Sequence, residues 1–447
     1  MISNEFKNKL FEAAAANDIS DIELFFLSSK SDSVSVYKAN VENFESSSKS
    51  GIGVRGLYNG IMGYYYSEIV EDKDIPNIID SIKQNAGIID SGDEEFIFGG
   101  SKSYAKVNVY NEELNSYSVD DKISAAIEME KIALEYDPRI KSVSRSVVAS
   151  GESEVYISNS KGLELSEKSN YLMAYVELIA EENGSTKEKG EIWIGNKPSD
   201  LDVAKVAKNA ADKAISALGG SSVPSSIKNV IMQNEVFAEI LGCFASSFYA
   251  ESVQKGFSLL KGKIGEKIAA DIVTISDDPL LEGGRSTTAF DSEGVATYNK
   301  TVVENGVLTT YLYNLKSAHK DGVESTGNGF KSSYKGTVNT SATNFYIKGG
   351  NVDISTLKKK LNNGLIINDI AGLHSGANVI TGDFSLAASG FLVENGEIIR
   401  PVEQITIASN FFELLQNIEE IGNDLYFTSY GMGSPSVLVK DINVSGE

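Results

Sequence analysis

The chain has 447 residues, with 62 Asp and Glu against 40 Lys and Arg, so its formal net charge is −22. Its single cysteine excludes an intramolecular disulfide, and its two histidines, His319 and His374, exclude a three-histidine metal site. The acidic balance argues against direct binding to nucleic acid, because displacing counterions from phosphate requires a basic surface.

The distribution of apolar residues argues against a membrane protein. The sequence lacks a run of about 18 uninterrupted apolar residues, the length that a membrane-spanning helix needs. Residues 1–18 alternate charged and apolar side chains and lack the apolar core of a signal peptide. We therefore expect a cytoplasmic protein, and the chain length favours two or three domains.

The first elements in chain order are a helix and a β region. Apolar side chains spaced by four residues predict a helix over residues 4–17. Alternating side chains predict that the β region begins at residues 33–37. Two apolar runs flank Asn59-Gly60, a pair favoured in type I′ turns, and predict a β-hairpin over residues 52–66.

Two further helices are predicted on either side of an antiparallel meander. Ser118 and Asp121 match an N-terminal capping pattern and predict the start of the first of these helices. Short alternating runs over residues 139–193 predict the meander. The second helix is predicted over residues 200–218.

Small, flexible residues at 219–226 predict a linker, because they offer little surface to bury. We therefore place an N-terminal domain at residues 1–218 and a C-terminal domain at residues 227–447. In the second domain an apolar stripe predicts a helix over residues 234–255, with Asn234 as its cap.

Beyond residue 277 the pattern changes to β structure. The tetrapeptide Val-Glu-Asn-Gly occurs at residues 303–306 and again at 393–396, and both copies predict hairpin turns. We predict an α+β fold, with a mixed α/β N-terminal domain around an antiparallel sheet. The C-terminal domain is predicted to be β-rich, a mostly antiparallel, barrel-like sheet with a few helices.

The segment Gly51-Ile52-Gly53-Val54-Arg55-Gly56 matches the dinucleotide-binding pattern G-x-G-x-x-G in letters. A dinucleotide site requires a helix directly after this pattern, so that backbone amides meet the pyrophosphate. A predicted hairpin follows instead. We therefore interpret these glycines as packing positions in a twisted strand.

Few other side chains form a pattern typical of catalysis. Cys243 lies in a predicted helix, where a lone cysteine is usually a small buried apolar residue. Asp277, Asp291 and Asp383 are candidate ligands for a hard metal ion such as Mg²⁺ or Ca²⁺. Their spacing matches no metal-binding pattern, so the solvated-surface interpretation is favoured.

Two segments of the second half, at 325–330 and 376–390, are rich in glycine and hydroxyl groups. Small residues allow another backbone to approach, so these segments suit a groove for an extended peptide added as a strand. Tight turns in a barrel-like sheet are an equally good explanation. The candidate peptide-binding residues are Gly327, Asn328, Gly382, Asp383 and Ser389.

Several co-ordered motifs resemble the TldD/PmbA family, also known as modulators of DNA gyrase. The resemblance extends over nearly the whole chain, from the glycine-rich segment at 51–56 to the C-terminus. The motifs that carry it in the second half are Asp277-Asp278-Pro279, Phe290-Asp291-Ser292-Glu293-Gly294, Ser325-Thr326-Gly327-Asn328, Thr381-Gly382-Asp383-Phe384-Ser385 and Gly433-Ser434-Pro435-Ser436.

The resemblance also implies which subunit type this chain is. TldD-type members carry His-Glu-x-x-x-His on a helix and a later cysteine, which together bind and use zinc. Matching that helix to residues 234–255 puts Leu241, Gly242 and Ser246 in the His, Glu and His positions. Residues 427–436 contain no cysteine. The resemblance therefore implies a PmbA (TldE)-type subunit without metal ligands or catalytic residues of its own.

Such a subunit is expected to act with a TldD-type partner that carries the zinc, in a complex that cleaves unfolded or leader peptides. A homodimer of this chain is the other assembly compatible with the resemblance. Two alternatives are a peptidase in its own right that uses carboxylates with another metal, and a non-enzymatic modulator that binds a protein.

Overall fold

The computed structural model describes residues 2–88 and 94–447. Its first half contains one six-stranded sheet, here called the long sheet, in the order β3-β2-β1-β4-β5-β6, and all neighbouring strands are antiparallel. The elements of this half are α1 (Asn4–Ala15), β1 (Ile19–Tyr37), β2 (Asn40–Tyr58), β3 (Ile61–Ser67), α2 (Ile75–Ile88), α3 (Val119–Tyr136), β4 (Ile140–Asn159), β5 (Glu164–Glu182), β6 (Ser185–Gly195) and α4 (Val203–Ser216).

Two apolar cores lie against the long sheet. Helices α1 and α2 cover β1, β2 and β3, and Leu10 and Ile82 are fully buried there. Helices α3 and α4 cover the region of β4 and β5, where Met129 and Ala210 are fully buried. The sheet thus supports two separate helical layers along its length.

Several local predictions for this half are confirmed. Helix α1 matches the predicted helix, and β2 and β3 form the predicted hairpin. Asn59 and Gly60 have φ angles of 52° and 79°, as a type I′ turn requires. The predicted start of the β region at residues 33–37 is wrong, because β1 already begins at Ile19. Its residues 22–26 are all buried, so they form a continuous run without alternation.

The cap of helix α3 is confirmed in detail. Ser118 Oγ accepts a hydrogen bond from the Asp121 amide at 3.1 Å, and Asp121 Oδ2 accepts one from the Ser118 amide at 2.8 Å. The Ser118 hydroxyl, which donates to Asp121 Oδ2 at 2.7 Å, and the Ser118 amide together lower the pKa of Asp121. Helix α4 begins at Val203, after a single 3₁₀ turn at Pro198–Asp200, and Asp202 caps it through the Lys205 amide at 2.9 Å.

Substitution of Ser118 by alanine is expected to destabilise the protein by about 1 kcal/mol, because the first turn of α3 loses its side-chain acceptor. Urea denaturation monitored by circular dichroism measures the change. The matched control is Ser124→Ala in the same helix, since Ser124 only bonds the carbonyl of Asp120 and lies on the surface. Equal midpoints for the two variants would contradict the capping role.

The second half forms a closed barrel and a second sheet. The barrel consists of β16-β15-β14-β7-β20, closed by pairing of β16 with β20, and only its β7–β14 pair is parallel. The second sheet has the order β10-β9-β8-β13-β19-β18. The α+β class and the mostly antiparallel, barrel-like C-terminal sheet are therefore confirmed.

The strands of the second half are β7 (Ser226–Met232), β8 (Ile275–Asp277), β9 (Lys300–Glu304), β10 (Val307–Leu308), β11 (Gly329–Phe330), β12 (Asn339–Thr340), β13 (Phe345–Ile347), β14 (Gly364–Ala371), β15 (Asp383–Glu394), β16 (Glu397–Asn410), β17 (Ile418–Ile421), β18 (Tyr426–Phe427), β19 (Met432–Ser434) and β20 (Val437–Ser445). Its helices are α5 (Asn234–Phe244), α6 (Ala250–Gln254), α7 (Leu315–Asp321), α8 (Ile354–Leu361), α9 (Leu373–Gly376) and α10 (Phe411–Gln416). Helix α5 contacts both the barrel and the second sheet, and it carries the centre of their shared core.

The helix predicted over residues 234–255 is interrupted. Helix α5 ends at Phe244, a 3₁₀ turn follows, and Tyr249 is extended before α6 begins. The helix is interrupted because this segment pairs with the backbone of Leu312. The Leu312 amide donates to the Phe248 carbonyl, and the Leu312 carbonyl accepts a hydrogen bond from the Ala250 amide, each at 2.9 Å. The N-cap residue is Gln233, one position before the predicted Asn234, and it makes no side-chain cap bond. The Asn234 side chain accepts the Glu235 amide at 2.8 Å and donates from Nδ2 to the Asp424 carbonyl at 2.8 Å.

Residues 219–226, where we expected a linker, lie against the barrel and the C-terminus. Arg400 of β16 donates to the carbonyls of Ser221 and Ser222, each at 2.9 Å. Ser225 Oγ bonds the Gly446 carbonyl at 2.9 Å. Among residues 2–88 and 94–447, none of the helices has the length and apolar character needed to cross a membrane.

Candidate functional site

The glycine-rich segment at 51–56 lies inside strand β2 and is followed by β3, without the helix that a dinucleotide site requires. Its glycines allow the C-terminal half to approach the long sheet. A Cβ at Gly51 would lie 2.4 Å from the ring of Tyr334, and one at Gly53 would lie 2.3 Å from the Tyr334 carbonyl oxygen. The packing interpretation of these glycines agrees with this geometry.

Arg55, in the same segment, belongs to a buried ion cluster that joins the two halves. It faces Glu23 across β1 and β2, with Nε 2.8 Å from Glu23 Oε1, and its Nη1 lies 3.6 Å from Glu293 Oε1. Lys331 Nζ lies 4.0 Å from Glu23 Oε1. Each of these four side chains is 5% exposed or less, and burial lowers the pKa of Lys331 to about 8. Local sequence patterns gave no sign of this cluster.

Asp277 and Asn328 lie in a second buried network, where β8 ends and β9 begins in the second sheet. Asp277 Oδ2 accepts hydrogen bonds from Lys300 Nζ at 3.0 Å and from Asn328 Nδ2 at 2.8 Å. Asn328 is fully buried, and Gly327 beside it is buried with a φ of 70°. The side-chain amide of Asn328 is fully hydrogen-bonded inside the protein, and its role as a peptide contact stays a prediction.

The other candidate residues lie elsewhere. Gly382 is buried next to Phe412, and Asp383 is exposed and accepts a bond from Asn410 Nδ2 at 2.9 Å, which lowers its pKa. Ser389 lines a cleft between the barrel and β6. The structure therefore does not assemble the five predicted peptide-binding residues into one groove.

The candidate metal ligands are also separated. Asp291 is buried and accepts three backbone N–H bonds, two at Oδ1 and one at Oδ2, while burial and the neighbouring Glu293 raise its pKa. The carboxylate of Asp277 accepts hydrogen bonds within its buried network, and Asp383 lies on the barrel surface. In the part of the chain that the structure describes, no three His, Cys, Asp or Glu side chains are grouped to hold a metal ion.

The two histidines are exposed, and the cysteine is half-buried against the shared core. His319 is exposed, with Nε2 3.3 Å from Glu94 Oε2 and its ring edge-on to Phe96. His374 is exposed on α9. Cys243 is half-buried in α5, where burial raises the pKa of its thiol.

Leu241, Gly242 and Ser246 lie on or just after α5. Leu241 is fully buried in the shared core. Gly242 packs against β19, so that a Cβ there would lie 2.9 Å from Cγ of Met432 and 3.7 Å from the ring of Tyr430. Ser246 is half-buried in the 3₁₀ turn that follows the helix. Apolar side chains thus fill this region of the helix.

A cleft of about 340 Å³ lies between β5 and the second half, and the sequence patterns did not reveal it. Strand β5 contributes Glu167 and Ser169, and the opposite wall is formed by residues 286–292 and 341–343. Ser286 Oγ also donates to the Tyr430 carbonyl at 3.3 Å, which connects this cleft to the neighbourhood of Gly242. The consecutive hydroxyl residues at 286–288 were the one available sequence signal.

Comparison with protein families identifies the class of protein to which this fold and region belong. Residues 22–86, 112–218 and 225–446 match domain 1, the central domain and the C-terminal domain of the PmbA/TldA metallopeptidases. The Escherichia coli O157:H7 metalloprotease PmbA is 32% identical over 331 residues, covering 74% of this chain and 71% of that protein. The chain belongs to the TldD/PmbA family.

Other relatives extend the match to the full length. The metalloprotease PmbA homologue of Buchnera aphidicola is 28% identical over 99% of this chain and 96% of its own length. The crystal structure of a modulator of DNA gyrase from Thermotoga maritima superposes with a TM-score of 0.92, at 32% identity and 99% coverage of both chains. TldE from Thermococcus kodakarensis has the same fold, with a TM-score of 0.90 at 22% identity over 99% and 100% of the two chains.

Proposed function

We propose that this chain is the PmbA/TldE-like, non-catalytic subunit of a TldD-type zinc metallopeptidase complex. The observation that carries the proposal is which residues α5 has at the positions expected for the zinc site. The position expected for a histidine holds the fully buried Leu241, and the position expected for the glutamate holds Gly242, which has Met432 against it. Neither residue has a side-chain atom that could bind zinc or accept a proton from water.

Zinc on the partner would supply the activated water and polarise the scissile carbonyl. The contribution of this chain would be to enclose and hold the peptide beside the partner's site. Unfolded or leader peptides are the proposed substrates, and the cytoplasm is the proposed location. Without the partner, the chain is expected to be free or to form homodimers, which sedimentation analysis distinguishes.

The experiment compares the purified chain, a TldD-type partner and their mixture, with fluorescein-labelled casein as the substrate. We expect the chain alone to release no label, and the mixture to release label in a reaction that a zinc chelator stops. A mixture whose partner lacks its zinc-binding histidines is the control. Chelator-sensitive cleavage by this chain alone, with zinc bound in a one-to-one ratio, would contradict the proposal.

A further inference from the structure

The cleft between β5 and the second half has the size and lining of a binding site. Its volume of about 340 Å³ falls within the usual range for ligand sites. Hydroxyl groups and two aromatic rings share the lining, so the cleft offers both hydrogen bonds and apolar contact. The rings are those of Phe290 and Phe330, and the hydroxyl groups include those of Ser169, Ser286, Thr287 and Ser341.

Glu167 gives this cleft its charge. Its Oε2 accepts a hydrogen bond from the Ala289 amide at 3.0 Å, which holds the carboxylate at the wall. Burial raises the pKa of Glu167, and the bonds from Ala289 and Thr288 oppose that rise. Among the described residues, no lysine, arginine or histidine forms an ion pair with Glu167, and none lines the cleft.

Several carboxylates of two neighbouring clefts are paired with cations, whereas Glu251 and Glu188 in these clefts accept hydrogen bonds from neutral groups. In the cleft between β6 and the barrel, Lys187 pairs with Glu403 and Lys189 pairs with Asp369. In the cleft next to Arg55, Lys316 pairs with Glu95 at 3.1 Å. Glu167 differs from the paired carboxylates because its partial burial is not compensated by a cation.

Asp291 is the second carboxylate of the cleft, but it does not compete for a ligand cation. Its two oxygens already accept three backbone N–H groups, from Glu293, Val295 and Gly329. A ligand that enters the cleft therefore meets Glu167 as the available acceptor. Pairing a half-buried carboxylate with a cation recovers part of the free energy that its desolvation costs.

We propose that this cleft binds an extended peptide and that Glu167 pairs with an ammonium group of that peptide. The ammonium group comes from a lysine side chain or from the peptide N-terminus. The hydroxyl groups bind the peptide backbone, and the aromatic rings contact the apolar stem of a lysine. The inference rests on the proposed function in one respect, because it takes a peptide as the substrate class.

The test uses the full chain and three synthetic hexapeptides in isothermal titration calorimetry. The first peptide is capped at both ends and contains one lysine, the second replaces that lysine with norleucine, and the third is the norleucine peptide with a free N-terminus. We expect the lysine peptide, the free-amine peptide or both to bind about tenfold more tightly than the capped norleucine peptide, as a charge-assisted hydrogen bond predicts. The two arms identify the source of the ammonium group.

In Glu167→Gln this preference is expected to disappear, because the amide keeps the shape and the Ala289 bond but loses the charge. The control is Glu181→Gln, an exposed position on the same strand, which removes an equal charge and should keep the preference. The inference is overturned if the wild-type chain binds none of the peptides or binds all three equally. It is also overturned if the preference survives in Glu167→Gln.

The failure of this inference can be separated from the failure of the proposed function. The wild-type chain, mixed with its TldD-type partner, is assayed in parallel for chelator-sensitive cleavage of fluorescein-labelled casein. If that cleavage persists while all three hexapeptides bind the wild type equally, only the role of Glu167 is refuted. If wild-type mixtures never cleave, the proposed function itself fails.

Discussion

Replacement of Arg55 by methionine is expected to lower the free energy of unfolding by about 3–5 kcal/mol, because two buried carboxylates lose their nearest cation and only Lys331, 4.0 Å from Glu23, remains. Methionine preserves most of the apolar stem, so the change isolates the lost charge. Glu23 would lose a bidentate partner, with bonds of 2.8 and 3.3 Å, and Glu293 would lose its nearest cation. Urea denaturation followed by circular dichroism, together with the fluorescence of the single tryptophan, Trp193, measures the loss.

Two comparisons make this result interpretable. Arg139→Met removes an arginine from a partly exposed pair with Asp137 and should leave the midpoint almost unchanged. The double variant Arg55→Met, Glu23→Gln should lose less free energy of unfolding than the two single variants lose in sum, because the two residues act as one unit. Wild-type stability in Arg55→Met would show that this cluster does not hold the two halves together.

Local chemistry made much of the fold predictable. The Asn-Gly turns at 59–60 and 395–396 both adopt positive φ angles, and the Ser118 cap forms as its spacing indicates. The apolar stripe of α5 was also readable, because its period follows from helix geometry alone. Each of these signals involves residues within a few positions of one another.

Features built from distant residues were not predictable. The break in the helix after Phe244 depends on pairing with Leu312. The glycines at 51 and 53 are needed because Tyr334, in the other half, packs directly against them. The same holds for the cleft, whose walls come from β5 and from residues beyond 285. A single sequence does not show which residues far apart in the chain will come into contact.

The candidate site was predicted unevenly for the same reason. Glycine and hydroxyl composition singled out Gly327 and Asn328, but composition does not distinguish a groove from a buried network. Asn328 has both its amide hydrogens and its oxygen bonded inside the protein. Glu167 carried no local pattern, and only its uncompensated position in the cleft makes it notable.

Replacement of Asp277 by alanine is expected to destabilise the second half by about 3–5 kcal/mol, because Lys300 would be left buried without an anion. Asp277 is fully buried, and its Oδ1 also accepts bonds from the amide and hydroxyl of Thr343, at 2.6 and 2.8 Å. Four donor groups, which belong to Lys300, Asn328 and Thr343, would therefore lose their acceptor at once. Differential scanning calorimetry of the full chain should show a lower midpoint for the transition of the barrel and second sheet.

Asp383→Ala is the matched control, because the same side chain is removed from an exposed position where its hydrogen-bond donor, Asn410, can turn to water. Its midpoint should stay close to the wild-type value. Asp277→Asn should lie between wild type and Asp277→Ala, since it keeps an oxygen for Thr343 but turns an amide towards Lys300. Equal midpoints for Asp277→Ala and Asp383→Ala would mean that the buried network contributes nothing, and Asp277 would again be open to a ligand-binding role.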